Sequence, residues 1–220
     1  MRPTARIVKV SAFCAVGLAF VAGAGKAFAQ IPYPTPGTVN PVTYTFTAAA
    51  TGDITAYFVS KGGAAYTEVL GMLDNGVPTG ITGLDNQTSV AGQSLDLGSV
   101  HAGDTLTFFI DVINPNLGDV YSNPSLNAAY DSTYSPSPGV NHVYSTGYDA
   151  SSHLLNSSIP SGTYVGFEDL PASNPPDYNY ADEQYVFTDV SVATTPDSTS
   201  TMGLLSLTVA GIGWLRRRLK

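Results

Sequence analysis

Between Thr105 and Ile113 the chain reads T-L-T-F-F-I-D-V-I, with Leu106, Phe108, Ile110 and Val112 all in the same phase of a two-residue repeat. A period of two is that of a strand, whose successive side chains point to opposite faces. Phe109 and Ile113 partly fill the second face, so this segment is expected to be a central strand. Val42, Tyr44 and Phe46 alternate with threonines in the same way, and residues 54–60, 65–73, 140–145, 164–167 and 185–192 are further strand candidates. Turn chemistry separates several of them, as in Asp74-Asn75-Gly76, Asp85-Asn86 and Ala102-Gly103-Asp104. Residues 30–193 nowhere sustain helical periodicity over three turns. They are expected to form one all-β domain, an antiparallel β-sandwich of jelly-roll or Ig-like type. Residues 31–41, with Pro32, Pro34, Pro36 and Pro41, read as an extended lead-in.

The two ends differ from this body. Residues 1–29 carry Arg2, Arg6 and Lys9, then an apolar run and the small-residue pattern Ala27-Phe28-Ala29, which is how a secretory signal peptide reads. Cys14, the single cysteine, falls inside it, so the exported part is expected to be stabilised without disulfides, by its core, bound ions or partners. Of nine basic residues, four (Arg2, Arg6, Lys9, Lys26) lie in this leader and four (Arg216, Arg217, Arg218, Lys220) in the last five positions. Lys61 is the one that remains, whereas all 17 acidic residues lie from Asp53 to Asp197. So anionic a body argues against nucleic acid or anionic lipid as partners and favours cations.

Carboxylates concentrate between the strand candidates 164–167 and 185–192. Glu168, Asp169, Asp177, Asp182 and Glu183 lie there with Asn179 and no Lys or Arg. At ~5 Å and an effective dielectric of about 20, each like-charge pair would cost roughly 3 kcal/mol. The side chains must therefore splay into solvent or share a cation. Hard oxygen donors suit calcium better than a transition metal, and Glu168, Asp169, Asp177, Asn179 and Asp182 are its candidate ligands. A solvated acidic turn is the plainer alternative.

A second candidate site is the segment 114–139, rich in Asn, Ser, Pro and Tyr and longer than an ordinary connection. Tyr121, Tyr130 and Tyr134, with Tyr144 and Tyr148 beyond it, are candidate ligand contacts, because Tyr among Ser, Gly and Asn is what adaptable binding loops use. An ordinary polar loop of an exported protein is the alternative. Enzymatic signatures are missing. Glu168 and Asp169 are adjacent at a strand end and expected on opposite faces, a poor acid/base pair. His101, His142 and His153 have no zinc-type spacing and are expected at surface or turn positions, and there is no G-x-S-x-G elbow. A non-enzymatic role is the expectation.

The tail, residues 194–220, places Thr195-Pro196-Asp197-Ser198-Thr199 before an apolar run over 202–215 and Arg216-Arg217-Arg218. As a helix that run spans only ~21 Å at about 1.5 Å per residue, short for a membrane crossing. The arrangement resembles the PEP-CTERM class of bacterial C-terminal sorting signals, in the variant that reads V-P-D-S-G, with Thr195 and Thr199 in place of Val and Gly. The resemblance implies general export, transient retention at the inner membrane through the apolar helix, and processing by an exosortase-type protease. The body carries another. Phe167-Glu168-Asp169-Leu170, then Asp177-Tyr178-Asn179 and Tyr185-Val186-Phe187, is similar to a bacterial extracellular domain family of unknown function whose C-terminal signature reads F-E-D, then D-Y-N-D and an apolar strand. Here Tyr180 and Ala181 intervene before the final acidic position, Asp182. This resemblance implies a β-sandwich with a calcium site and no enzymatic activity. Together these readings give an exported structural or adhesive component of the cell surface or extracellular matrix. The alternative is a carbohydrate-binding module that contacts polysaccharide through tyrosines, since the single tryptophan, Trp214, lies in the tail.

Overall fold

The computed structural model describes residues 31–132, 139–172 and 176–196. The expected signal peptide and apolar tail helix lie outside the described residues. Among the described residues, eleven strands form two antiparallel sheets. The first holds β1 (Val42–Ala48), β3 (Thr67–Asp74), β4 (Val77–Gly83), β6 (Thr105–Asn114), β7 (Gly118–Tyr121) and β11 (Val190–Pro196). Its order is β11-β1-β6-β3-β4, and β7 pairs with the C-terminal half of β6, beyond the two residues at which β1 meets that strand. The second sheet holds β2 (Gly52–Ser60), β5 (Ser94–Val100), β8 (Val143–Tyr148), β9 (Gly162–Phe167) and β10 (Glu183–Phe187), in the order β5-β2-β10-β9-β8. An all-β sandwich is therefore what the alternating pattern encodes. Among the described residues no helix is long and apolar enough to cross a membrane.

The repeat in β6 does what its phase requires. Leu106, Phe108, Ile110 and Val112 are buried between the sheets, and the Phe108 ring stacks on Phe187 of the opposite sheet with centroids 3.8 Å apart. On the other face Phe109 is half-buried over Gly71 and beside Tyr121, while Ile113 is exposed. A second, smaller apolar cluster lies on the outer face of the second sheet. There Val59, Tyr164 and Val186 are covered by Leu155 and Ile159 from the connection between β8 and β9. The proline-rich lead-in packs nearby, with Tyr33 edge-on against Tyr144 and Tyr180.

The single strand expected over 185–192 is two. β10 ends at Phe187, and β11 begins at Val190 in the other sheet. The switch takes only Thr188 and Asp189, and Asp189 adopts φ 59°, a left-handed conformation that cannot continue a strand. Its carbonyl accepts from Ala49 at 2.7 Å, and Thr188 donates its N–H to Thr55 at 3.0 Å, which tie the crossing to both sheets. The connection expected over 114–139 also carries structure: β7, a 3-10 turn at Pro124–Leu126, and the one-turn helix α1 (Ala128–Ser132).

Candidate metal centre

Five carboxylates meet at the end of the sandwich where β3 and β10 begin and β9 stops. Strand phase explains two of them. Glu68 is in step with Leu70 and Met72 on β3, and Glu183 with Tyr185 and Phe187 on β10, so both side chains face the interior between the sheets. Both are fully buried. Glu168 and Asp169 follow β9 directly and are 1% and 4% exposed, and Asp182 precedes β10 and is half-buried. One oxygen from each of Glu168, Asp169 and Asp182 can be chosen so that all three lie within 4.8 Å of one another. Glu168 and Asp169 thus meet in spite of their adjacency, because the strand ends at Phe167 and its alternation no longer applies.

The backbone around them is held firmly. Glu168 donates its N–H to the His142 carbonyl at 2.9 Å, Asp182 donates to the Phe167 carbonyl at 3.2 Å, and the Asp169 N–H reaches Asp182 Oδ2 at 3.3 Å. The Tyr130 hydroxyl donates to the Asp169 carbonyl. Segment 176–182 lies flat on β9 because Gly166 has no side chain: a Cβ there would stand 2.2 Å from the Tyr180 carbonyl oxygen. Gly62, at φ 52°, makes the corresponding approach from the β2–β3 connection, where a Cβ would stand 2.0 Å from the Ala181 carbonyl oxygen. Gly166→Ala should therefore lower stability by about 1–3 kcal/mol, the usual range for overpacking. Thermal unfolding reads this as a drop of several degrees, and an unchanged midpoint would mean the segment is free to lift.

Burial dominates the electrostatics. It raises Glu68 and Asp169 to about 8; the nearby Glu68 adds to the rise of Asp169, whereas the hydrogen bond with Asp169 partly offsets that of Glu68, which Glu183 and Asp182 reinforce. Glu168 and Asp182 are raised by burial and then by neighbouring carboxylates, and Glu183 stands well above its ordinary range because it is withdrawn from water. Partial compensation reaches Glu68 from the Asn86 amide and Glu183 from the Tyr185 hydroxyl. Among the described residues, Glu68 Oε1, Glu183 Oε1 and both Glu168 oxygens are buried without a hydrogen-bond partner. Among the described residues, no Lys, Arg or His forms an ion pair with any of the five. Lys61 is on the adjoining connection but donates to Gln87 Oε1. A buried carboxylate without donor or counter-charge is costly. All-oxygen, anionic donors suit a hard divalent cation, and the orphaned Glu168 oxygens are donors such an ion would satisfy.

Asp177 and Asn179, also expected as ligands, lie in the turn before Asp182. Asp177 is exposed, and its carboxylate accepts from the Asn179 N–H at 3.0 Å and the Asn179 side-chain amide at 2.6 Å. Asn179 Oδ1 in turn accepts from the Ala181 N–H at 2.6 Å. These two side chains shape the turn that delivers Asp182, and Asp177 is near enough to raise Glu168, Asp169 and Asp182 by its charge. The tyrosine expectation also changes. Tyr130 and Tyr148 are buried, Tyr121 donates to Asp119 Oδ2 at 2.7 Å, and Tyr144 is half-buried against Tyr33 and Tyr164. Tyr134 lies outside the described residues. His142, expected near the surface, is fully buried, with Nε2 3.1 Å from Asp131 Oδ1 and Nδ1 3.0 Å from the Glu168 carbonyl. Pro196 closes β11, whereas Asp197, Ser198, Arg216, Arg217 and Arg218 lie outside the described residues.

The fold and cluster define a β-sandwich with an acidic centre at one end. Compared with known proteins, the chain matches no family model, no curated protein and no solved structure.

Proposed function

We propose that this chain is an exported structural or adhesive component of the bacterial cell surface or extracellular matrix, whose sandwich is stabilised by calcium bound at Glu168, Asp169 and Asp182. The observation that carries the calcium part is the pair of buried Glu168 oxygens without partners among the described residues, beside two more carboxylates within 4.8 Å. An ion there joins the end of β9 to the start of β10 and replaces the missing disulfide as a clamp. Export, passage through the inner membrane, and exosortase-type processing are supported by the leader over 1–29 and the Pro196-Asp197-Ser198 motif with its arginine end. The jelly-roll or Ig-like type is the finer reading of the sandwich. No catalytic step is assigned.

Thermal unfolding during a calcium titration tests the reading. Extracellular calcium modules bind at ~10⁻⁴ to 10⁻³ M. A hundredfold excess over the dissociation constant adds about 2.7 kcal/mol, or roughly 5–11 °C at about 2–4 °C per kcal/mol. Asp182→Asn should abolish most of this rise, and Asp177→Asn, at the exposed turn, should leave it intact. No rise in the wild type, or an equal rise in Asp182→Asn, would overturn the calcium site.

A further inference from the structure

Among the described residues, the carboxylate cluster opens toward the β2–β3 connection. A cleft of about 260 Å³ adjoins it, lined by Gly63, Ala64, Ala65 and Tyr66 from the β2–β3 connection and by Leu170, with Asp169 and Asp182 contributing to its wall. The opposite side is protein: Glu168, Glu68 and Glu183 are buried against β3, β9 and β10. Calcium takes six to eight oxygen ligands. One oxygen from each of three carboxylates leaves positions to fill, and the cleft is where outside oxygens can reach them.

We propose that a neutral carbohydrate occupies this cleft and completes the calcium coordination with two vicinal hydroxyls. This rests on the calcium reading above and adds the ligand to it. Three features favour a sugar. The space is slightly below the roughly 300–1,000 Å³ that holds drug-sized ligands, which suits one ring of a longer glycan whose remainder lies in solvent. Residues 63–65 present no side chain larger than a methyl, so a ring can approach the ion, and Tyr66 and Leu170 offer aromatic and apolar surface to its C–H face. Charge selects against acidic ligands, because one divalent ion among three carboxylates, with Glu68 and Glu183 behind them, leaves no positive excess to hold another anion. Hydroxyls fit both needs at once, donating to carboxylate oxygens while their lone pairs meet the ion. The sugar-binding surface is thus moved from the tyrosine-rich segment, where Tyr130 and Tyr148 are buried, to the metal centre.

The experiment incubates the folded exported domain, and its Ala65→Trp variant, on a printed array of mannose-, galactose- and fucose-terminated oligosaccharides, in millimolar calcium and in EDTA. Ala65 is exposed, so the indole fills the cleft without entering the core. Calcium-induced thermal stabilisation is measured on the same samples. Retention in calcium that falls to background in EDTA and in Ala65→Trp, with calcium stabilisation preserved in the variant, supports the proposal. Retention in EDTA, or by Ala65→Trp at the wild-type level, overturns it. Stabilisation by calcium without retention on any sugar overturns it while leaving the calcium site standing. Failure of calcium to stabilise the wild type overturns both.

Discussion

In EDTA, the melting temperature should fall steeply as the pH rises from about 5 to about 8, and saturating calcium should flatten the fall. Glu68 and Asp169 are raised by burial to about 8, and Glu168, Asp182 and Glu183 are raised in the same direction. Each holds its proton in the folded chain at a pH where the unfolded chain has released it. The folded state then binds more protons than the unfolded one, so its stability falls with rising pH. It is greatest below the ordinary carboxylate values and is lost through the folded values. One such group costs about 1.4 kcal/mol per pH unit within this window. Over three units that is about 4 kcal/mol, a large share of the 5–15 kcal/mol that ordinarily holds a domain together. Calcium lessens the dependence because it neutralises the oxygens of Glu168, Asp169 and Asp182 without protons, while Glu68 and Glu183 behind them keep theirs. Glu68→Gln and Asp169→Asn should each make the EDTA profile shallower. A profile in EDTA that is level between these pH values would mean water reaches the carboxylates freely.

Glu68 and Glu183 were legible in principle, by phase. A glutamate in step with Leu70 and Met72, or with Tyr185 and Phe187, is a carboxylate aimed at the core, and such a position requires a partner. Clustering along the chain drew attention to the connection after β9 instead. That gathers Glu168, Asp169 and Asp182, which the structure brings within 4.8 Å of one another, together with Asp177 and Asn179, whose spacing of two is what local Asx turns use. Strands whose apolar residues alternate were plain. β4, V-P-T-G-I-T-G, was not, because it lies at a sheet edge with most positions exposed and carries a proline and two glycines. Nor could the sheet change at Thr188 and Asp189 be read in a run of strand-forming residues, since it depends on one left-handed residue and the contacts that secure it. The tyrosine-rich segment looked like a binding loop because its composition is polar. Tyr130 is buried because α1 turns it toward His142 and the Asp169 carbonyl, a tertiary contact without a local signature.

Asp131→Ala should be the most damaging single truncation near the site, although its position within a polar segment suggests indifference. Asp131 and His142 are both fully buried. Asp131 Oδ1 meets His142 Nε2 at 3.1 Å and accepts from the Ala172 N–H at 3.0 Å, and Oδ2 accepts from the Val140 N–H at 2.8 Å. Burial pushes this carboxyl upward, but hydrogen bonds from His142, Ala172 and Val140 outweigh burial and hold it below the ordinary range. Its folded value is depressed, so its contribution is present above the unfolded value and is lost as the pH falls through the folded one. This is the opposite sense to the acidic centre. Removing one partner of a buried pair costs roughly 3–5 kcal/mol, on the order of 10 °C for a domain of this size. Asp177→Ala, which loses only the exposed turn bonds to Asn179, should cost about 0.5–1.5 kcal/mol. The loss should also reach the metal centre. His142 accepts the Glu168 N–H on its carbonyl and donates from Nδ1 to the Glu168 carbonyl, so a ring freed from Asp131 no longer fixes that ligand's backbone. Calcium should then bind more weakly to Asp131→Ala, as read by the shift in melting temperature at a fixed calcium concentration. A double variant, Asp131→Leu with His142→Leu, should be less destabilised than the sum of the two single truncations, because neither partner is left buried and unpaired. Additive losses would mean that Asp131 and His142 act independently, and an unchanged calcium response in Asp131→Ala would separate their pair from the ion.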